Sequence, residues 1–368
     1  MKFILSKKKI LGIVLIFILV VSIPIIRYLI FLTSPVGTGK ISRIVDFREG
    51  YTLKKVAGDL EQSHLISSAF MFTVYARLQG ADEKIKAGAY QFNDGMKPEK
   101  ILHKLITGDV YYCRFAVPEG YSIYQIASLL EQRGLLRKNE FLKQCFNRSL
   151  LADLGIKEPS VEGYLYPCTY NITPHTSETD LIREMVTQFH KHFSMELEKK
   201  ANELRMGTTQ ILTLASMVEK EAVAPGERPL IASVFFNRLK KEMPLQSDPT
   251  AVYQLRAFAG KVSKRDLQHD SPYNTYKING LPPGPIGNPG RDAIKAVLTP
   301  ATTKYLYFVS KMDGTHYFST TLDEHNRAVN MYLKSRAIPV EGVENTVPEY
   351  RNNFPSVTKG EALVKKSP

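Results

Sequence analysis

ILTLASMVEKEAVAPGERPLIASVFFNRLKKEMPLQSDPTAVY, residues 211–253, is the stretch whose reading decides the fold. Its apolar residues Ile211, Leu214, Ala215, Val218 and Ala222 recur at helical spacing. Two carboxylates, Glu219 and Glu221, interrupt the pattern where the apolar run ends. Pro225 and Gly226 then break the helix, and a second helical pattern runs from Leu230 to Leu239. Pro244–Thr250, PLQSDPT, is too polar and too proline-rich for a core strand. An apolar helix that delivers acidic groups beside a structured polar loop is what a carbohydrate-cleaving site needs.

The two glutamates cannot share a helix face, because positions i and i+2 lie about 200° apart. They flank the apolar arc centred near Val218 on opposite sides. One is expected to border a cleft, and the other to be solvated or paired with a base such as Lys220 or Arg228. Periodicity does not choose between them.

Outward from this stretch, the chain has 368 residues, enough for two or more domains. Its formal net charge of +13 calls for an anionic partner: nucleic acid, lipid headgroups or an acidic wall polymer. The N-terminus decides among them. Lys2, Lys7, Lys8 and Lys9 precede an apolar run from Ile10 to Ile26, which resumes after Arg27 as Tyr28–Leu32. That length suits a membrane-spanning helix, and the basic flank puts the N-terminus in the cytoplasm. A cleaved signal peptide is the alternative, but the run is long and no small-x-small site follows it, which favours an anchor. The expectation is a basic tail (1–9), an anchor (10–32) in the cytoplasmic membrane, and everything after it outside, out of reach of nucleic acid.

TSPVGTGK (33–40) reads as a linker, and an internal repeat follows. REGYTLKKVAGDLEQSHLI (48–66) and PEGYSIYQIASLLEQRGLL (118–136) share Glu-Gly-Tyr, a Thr or Ser helix cap and an amphipathic helix containing Leu-Glu-Gln. Between them, IKAGAYQF (85–92) alternates like a strand and Pro98–Leu105 reads as a helix. Residues 44–145 are thus read as LysM-like small α+β modules that position glycan strands. The chemistry is expected in a mixed α+β domain over 150–336, with a loose tail over 337–368.

Leu181–Leu204 reads as one long amphipathic helix. SPYNTY (271–276) and GLPPGPI (280–286) combine aromatics and amides, which suit sugar rings, hydroxyls and acetamido groups. Asn237, Gln246, Asp248, Tyr273, Asn274 and Tyr276 are the candidates for lining a sugar cleft. YLYFVS (305–310) and GTHYF (314–318) read as a hairpin, with a final helix over Asp323–Arg336 capped by Thr320 or Thr321. Cys113, Cys145 and Cys168 lack metal-ligand spacing, as do the scattered histidines, so neither metal nor cofactor is expected. The cysteines read as buried hydrophobes.

The blocks EGYLYP, LASMVEKEA, VFFNRLKKEMPLQSDPTAVY, SPYNTYKINGLPPGPIGNPG and YLYFVSKMDGTHYFSTTLDEHN, in this order, resemble the YceG-like family of endolytic murein transglycosylases, from about residue 44 to 336. The resemblance implies that Glu221, the second glutamate of Glu-x-Glu, is catalytic, with Glu219 secondary. Cys168 stands where the family usually has Asp. The implied reaction cuts the MurNAc–GlcNAc β-1,4 bond without water. One carboxylic acid protonates the leaving oxygen, then deprotonates the C6 hydroxyl, which closes a 1,6-anhydro ring. The implied substrate is the glycan strand of nascent peptidoglycan, whose elongation the cut would terminate. Peptidoglycan synthases and the division or elongation machinery are the partners such a cut would involve. Two other classes fit the residues: a hydrolytic muramidase using a second carboxylate such as Asp248, and a non-catalytic wall-binding scaffold.

Overall fold

The computed structural model describes residues 7–193, 195–255 and 262–334. The first residues of the expected cytoplasmic tail, 1–6, and the expected loose tail lie outside the described residues. The chain is a mixed α+β protein that divides into two compact units, Met1–Leu306 and Tyr307–Pro368.

Helix α1 (Lys7–Thr33) is continuous through the apolar run. Its 27 residues are long enough to cross a hydrocarbon layer of about 30 Å at about 1.5 Å per residue. Its last turn is not free: Phe31 is buried in the core of the body that follows, with Tyr28 and Leu32 packed against it. The linker is held too. Asp94 accepts from Gly39 N (2.8 Å) and Ile41 N (3.2 Å) through its carboxylate, and from Gly37 N (2.7 Å) through its carbonyl.

The sequence repeat is a structural repeat. The first unit runs β1 (Ser42–Phe47), α2 (Leu53–Gln62), α3 (Ala69–Leu78) and β2 (Gly88–Asn93), followed by α4 (Pro98–Thr107). β1 and β2 pair antiparallel from Ser42↔Asn93 to Phe47↔Gly88. The second unit runs β3 (Cys113–Ala116), α5 (Ile123–Gln132), α6 (Lys138–Cys145), α7 (Arg148–Asp153) and β4 (Thr169–Ile172). β3 pairs β4 antiparallel, Cys113↔Ile172 to Ala116↔Thr169. The second unit therefore runs past the expected boundary near residue 145 and takes in the EGYLYP block. Both helix caps are formed: Thr52 accepts from Lys55 N, and Ser122 accepts from Gln125 N within a reciprocal capping box. The three thiols are unpaired, and Cys145 is fully buried as a small apolar group.

The expected long helix over 181–204 is two helices, α8 (Glu178–His192) and α9 (Met195–Glu203). Beyond them lie α10 (Thr208–Glu221), α11 (Arg228–Lys240), α12 (Asp248–Val252), α13 (Lys264–Leu267) and α14 (Arg291–Leu298). α10 is buried from Ile211 to Val218 because its apolar arc faces α11, α12 and α14. The Pro225–Gly226 break lets α11 fold back on α10. The C-terminal unit holds the hairpin β5 (Tyr307–Ser310) and β6 (His316–Ser319), then α15 (Leu322–Val329) capped by Thr321. The expected final helix is present as far as the described residues run: α15 passes directly into a wider, π-helical stretch over Asn330–Lys334.

Candidate active site

The two glutamates at the end of α10 part as their i, i+2 spacing requires. Glu219 is engaged on one side. Its Oε1 accepts from Arg228 at 2.8 Å and its Oε2 from Gly290 N at 2.9 Å, at the start of α14. An exposed like-charged neighbour, Glu119, is 3.9 Å from the same guanidinium. Glu221 is on the other side. It lines a cavity of about 300 Å³ together with Ser122, Gln125, Lys220, Asp248 and Tyr253.

One hydroxyl contacts Glu221 directly: Ser247 Oγ donates to its Oε1 at 2.5 Å. Loss of water around the carboxyl pushes its pKa up to about 7; Ser247 opposes that rise and the nearby Asp248 carboxylate adds to it. A carboxyl so poised can both give and take a proton near neutral pH. Asp248 is itself held by the Tyr276 hydroxyl, which donates at 2.6 Å.

Ser247 is placed by a knot of buried hydroxyls. Its N–H donates to Thr275 Oγ1 (2.9 Å), its carbonyl accepts from Thr250 Oγ1 (2.6 Å), and the two threonine hydroxyls lie 2.8 Å apart. Arg238, on α11, fixes the preceding loop by donating to the carbonyls of Pro244 (3.1 Å) and Leu245 (3.0 Å). The backbone N–H groups and carbonyls of an irregular loop need such partners once buried.

The six candidates for the sugar cleft therefore separate. Asp248 lines the cavity, Tyr276 contacts Asp248, and Tyr273 packs its ring 4.6 Å from that of the lining residue Tyr253. Gln246 is exposed with a left-handed φ of 49° and accepts from Arg238 at 3.3 Å. Asn237 and Asn274 are turned to structure. Asn237 Nδ2 donates to the carbonyls of Thr303 (3.1 Å) and Tyr305 (2.9 Å). Asn274 is fully buried, and its Nδ2 donates to the carbonyls of Leu267 (3.0 Å) and His269 (2.8 Å). Their polarity answers backbone groups rather than the cavity.

Four contributors, Ser122, Gln125, Glu162 and Asn288, lay outside the sequence reading. Ser122 and Gln125 come from the second repeat unit, so the cavity is not built from residues 150–336 alone. Behind it lies Glu162, fully buried, which accepts from Ile123 N at the start of α5 (3.1 Å), Asn288 Nδ2 (2.9 Å) and the Tyr253 hydroxyl (2.9 Å). Burial lifts the Glu162 pKa to about 7 despite these donors. Asn288 joins everything: its Nδ2 also donates to Tyr121 O (2.8 Å), and its Oδ1 accepts from Gly163 N (2.8 Å) and Leu165 N (2.9 Å). The only signal for it in the sequence was an amide inside a Gly/Pro-rich loop, which also describes an ordinary turn.

One desolvated carboxyl beside a second carboxylate, in a small cavity with aromatic and amide walls, is the equipment of a glycan-cleaving enzyme. The chain belongs to the YceG-like family, which it matches over residues 45–331. It is 36% identical over 310 residues to the endolytic murein transglycosylase of Bacillus subtilis, a match covering 79% of this chain and 85% of that protein. It is 30% identical over 324 residues to the endolytic murein transglycosylase of Streptococcus pneumoniae R6, covering 79% of this chain and 58% of that protein. Among solved structures it is similar to a putative YceG-like protein from Listeria monocytogenes, with TM-score 0.55 and 35% identity, covering 78% of this chain and 98% of the other.

Proposed function

We propose that the chain is a membrane-anchored endolytic lytic transglycosylase of peptidoglycan, with Glu221 as its acid and base. The observation that supports this most is the division of labour at the end of α10. Glu219 is neutralised by Arg228, whereas Glu221 keeps a raised pKa in a cavity.

In the proposed reaction, protonated Glu221 donates its proton to the glycosidic oxygen of the GlcNAc leaving group, and the C1–O bond of MurNAc breaks. The Glu221 carboxylate then takes the proton of the C6 hydroxyl as O6 bonds to C1. The product carries a 1,6-anhydro ring, and Glu221 is protonated again, so protons balance without water. Asp248 has two roles in this scheme. Its charge holds the proton on Glu221 before cleavage, and it opposes the positive charge that develops at C1. The Ser247 hydroxyl bond favours the carboxylate form between the two transfers.

The N-terminal helix serves as a single-pass anchor with the Lys7–Lys9 flank in the cytoplasm and the body outside. The two strand–helix–strand repeat units, read as LysM-like, bring glycan strands to the cavity, where an internal cut ends the elongation of a nascent strand. Mass spectrometry of digested, uncross-linked glycan tests the proposal. Anhydro-muramyl ends are expected. Reducible MurNAc ends would instead favour the hydrolytic reading, with Asp248 activating water in the same cavity. A reporter fused after Pro368 is expected to be active only outside the cytoplasm, and a cytoplasmic signal would contradict the orientation.

A further inference from the structure

Lys220 lies between the two glutamates in sequence, yet it neither pairs with Glu221 nor points into solvent. Its aliphatic stem runs through a slot made by two glycines. A Cβ on Gly287 would lie 3.3 Å from Lys220 Cε, and a Cβ on Gly120 would lie 3.9 Å from Lys220 Cδ. The same Gly287 Cβ would lie 2.4 Å from Gly120 O, so no larger residue fits the slot while the loops keep this spacing. The slot delivers the ammonium to the wall of the Glu221 cavity. There it donates to Gln125 Oε1 at 3.0 Å, its one hydrogen bond among the described residues. That acceptor is shared: Gln125 Oε1 also receives Ser122 N at 2.9 Å, closing the capping box of α5. An ammonium has three N–H donors, and burial makes unused ones costly. The cavity lining therefore brings together a basic side chain, Lys220, and two acidic ones, Glu221 and Asp248.

We propose that Lys220 is a substrate-binding residue of this cavity, and that its spare N–H groups bind an acyl oxygen of the muramyl ring cleaved by Glu221. The inference rests on the proposed lytic reading. Two acyl groups of that ring lie close to the scissile C1 and carry the right acceptor. One is the carbonyl of the 2-acetamido group; the other is the lactyl oxygen at C3, a carboxylate in strands stripped of peptide and an amide carbonyl in strands that carry it. A cavity of about 300 Å³ holds little more than one sugar ring, which keeps either group within reach of the ammonium. Burial draws the pKa of Lys220 down, and the nearby Glu162 and Glu219 oppose that fall.

The test is steady-state kinetics of the full chain on three uncross-linked substrates: peptide-bearing strands, peptide-free strands and N-deacetylated strands. Lys220→Met is expected to raise KM roughly 10- to 100-fold, the range for a hydrogen bond to a charged group, with a much smaller change in kcat and little change in melting temperature. Lys220→Arg should recover part of the loss. The wild-type preference among the three substrates should also collapse in Lys220→Met. Collapse against N-deacetylated strands assigns the acetamido oxygen, and collapse between peptide-bearing and peptide-free strands assigns the lactyl oxygen. An unchanged KM, or an equal loss on all three substrates, overturns the assignment. So does full recovery in the Lys220→Met/Glu162→Gln double variant, which would make Lys220 only a counter-ion for Glu162. If Lys220→Met melts early, Lys220→Gln is read the same way. Absence of wild-type turnover on every strand sinks the lytic reading with this inference; wild-type turnover matched by Lys220→Met sinks the inference alone.

Discussion

Glu49-Gly50-Tyr51-Thr52 and Glu119-Gly120-Tyr121-Ser122 are two copies of one local instruction, and the protein uses them differently. Both build a turn with a left-handed glycine, φ 83° at Gly50 and 74° at Gly120, and both end in a capped amphipathic helix. Around Gly50 nothing lies within reach of an added Cβ. The first unit closes its own core from Phe47 to Leu105 and meets the N-terminal helix α1 through Phe31. Around Gly120, a Cβ would lie 3.2 Å from Glu219 Cγ, and Gly120 N donates to Asn288 O at 2.7 Å. The second unit is fused to the candidate site by Asn288 and Glu162, and its helix cap lends Ser122 and Gln125 to the cavity wall. Local sequence sets the turn and the cap; the long-range partners decide whether the unit is a free module or part of a cleft.

The largest expected difference is between the fastenings of the two units. Asn288→Ala leaves Gly163 N and Leu165 N without their acceptor in a buried place and takes one donor each from Tyr121 O and the Glu162 carboxylate. The expected cost is roughly 3–5 kcal/mol, a fall in melting temperature of about 10 °C or more, with loss of glycan cleavage. Asp94→Ala removes two bonds near solvent from the first unit and should cost about 1 kcal/mol or less. Equal losses by thermal melting would break the comparison.

Next come the paired glycines. Gly50→Ala and Gly120→Ala each place a Cβ at positive φ, at a cost of about 1–2 kcal/mol. Only Gly120→Ala is expected to lower turnover on short soluble glycans as well. A normal turnover for Gly120→Ala would separate the second unit from the chemistry.

A smaller effect sharpens the electrostatics of the cavity. The acid form of Glu221 is held up to about pH 7 and is lost as pH rises through that value, so kcat/KM should fall on the alkaline side. Asp248→Asn removes a charge that raises the Glu221 pKa, so that limb should move to lower pH. Ser247→Ala removes a bond that lowers it, so the limb should move to higher pH. A pH–rate profile unmoved by both variants would remove Glu221 from the acid role. Smallest of all, Glu49→Ala should change stability by no more than about 0.5 kcal/mol, because Glu49 is an exposed residue in the copy that is not part of the cleft.

The elements with strong periodicity were legible from sequence. They include α10, α11, the two capped repeat helices and the β5–β6 hairpin. So was the separation of Glu219 from Glu221, since it follows from helix geometry alone. The long-range partners were not. Glu162, Asn288 and Arg238 act on groups 39, 125 and 68 residues away, and no local pattern carries that information. Asn237 and Asn274 misled for the same reason: a polar side chain in an irregular segment serves cleft or backbone equally well until its acceptors are known. The break between α8 and α9 was hidden because amphipathic spacing continues through it.

The most direct measurement is the yield of 1,6-anhydro-muramyl ends from purified glycan strands by wild type, Glu221→Gln and Glu219→Gln, each checked by thermal melting. Glutamine keeps the shape of the carboxyl but cannot give or take the proton. Loss of general acid–base catalysis costs roughly 100- to 10,000-fold, and in the proposed reaction one group serves both transfers. The account predicts near abolition in Glu221→Gln with an intact fold. It predicts substantial residual yield in Glu219→Gln, along with some loss of stability from the broken Arg228 pair. A Glu221→Gln variant that still forms anhydro ends, beside a well-folded but inactive Glu219→Gln, would contradict it.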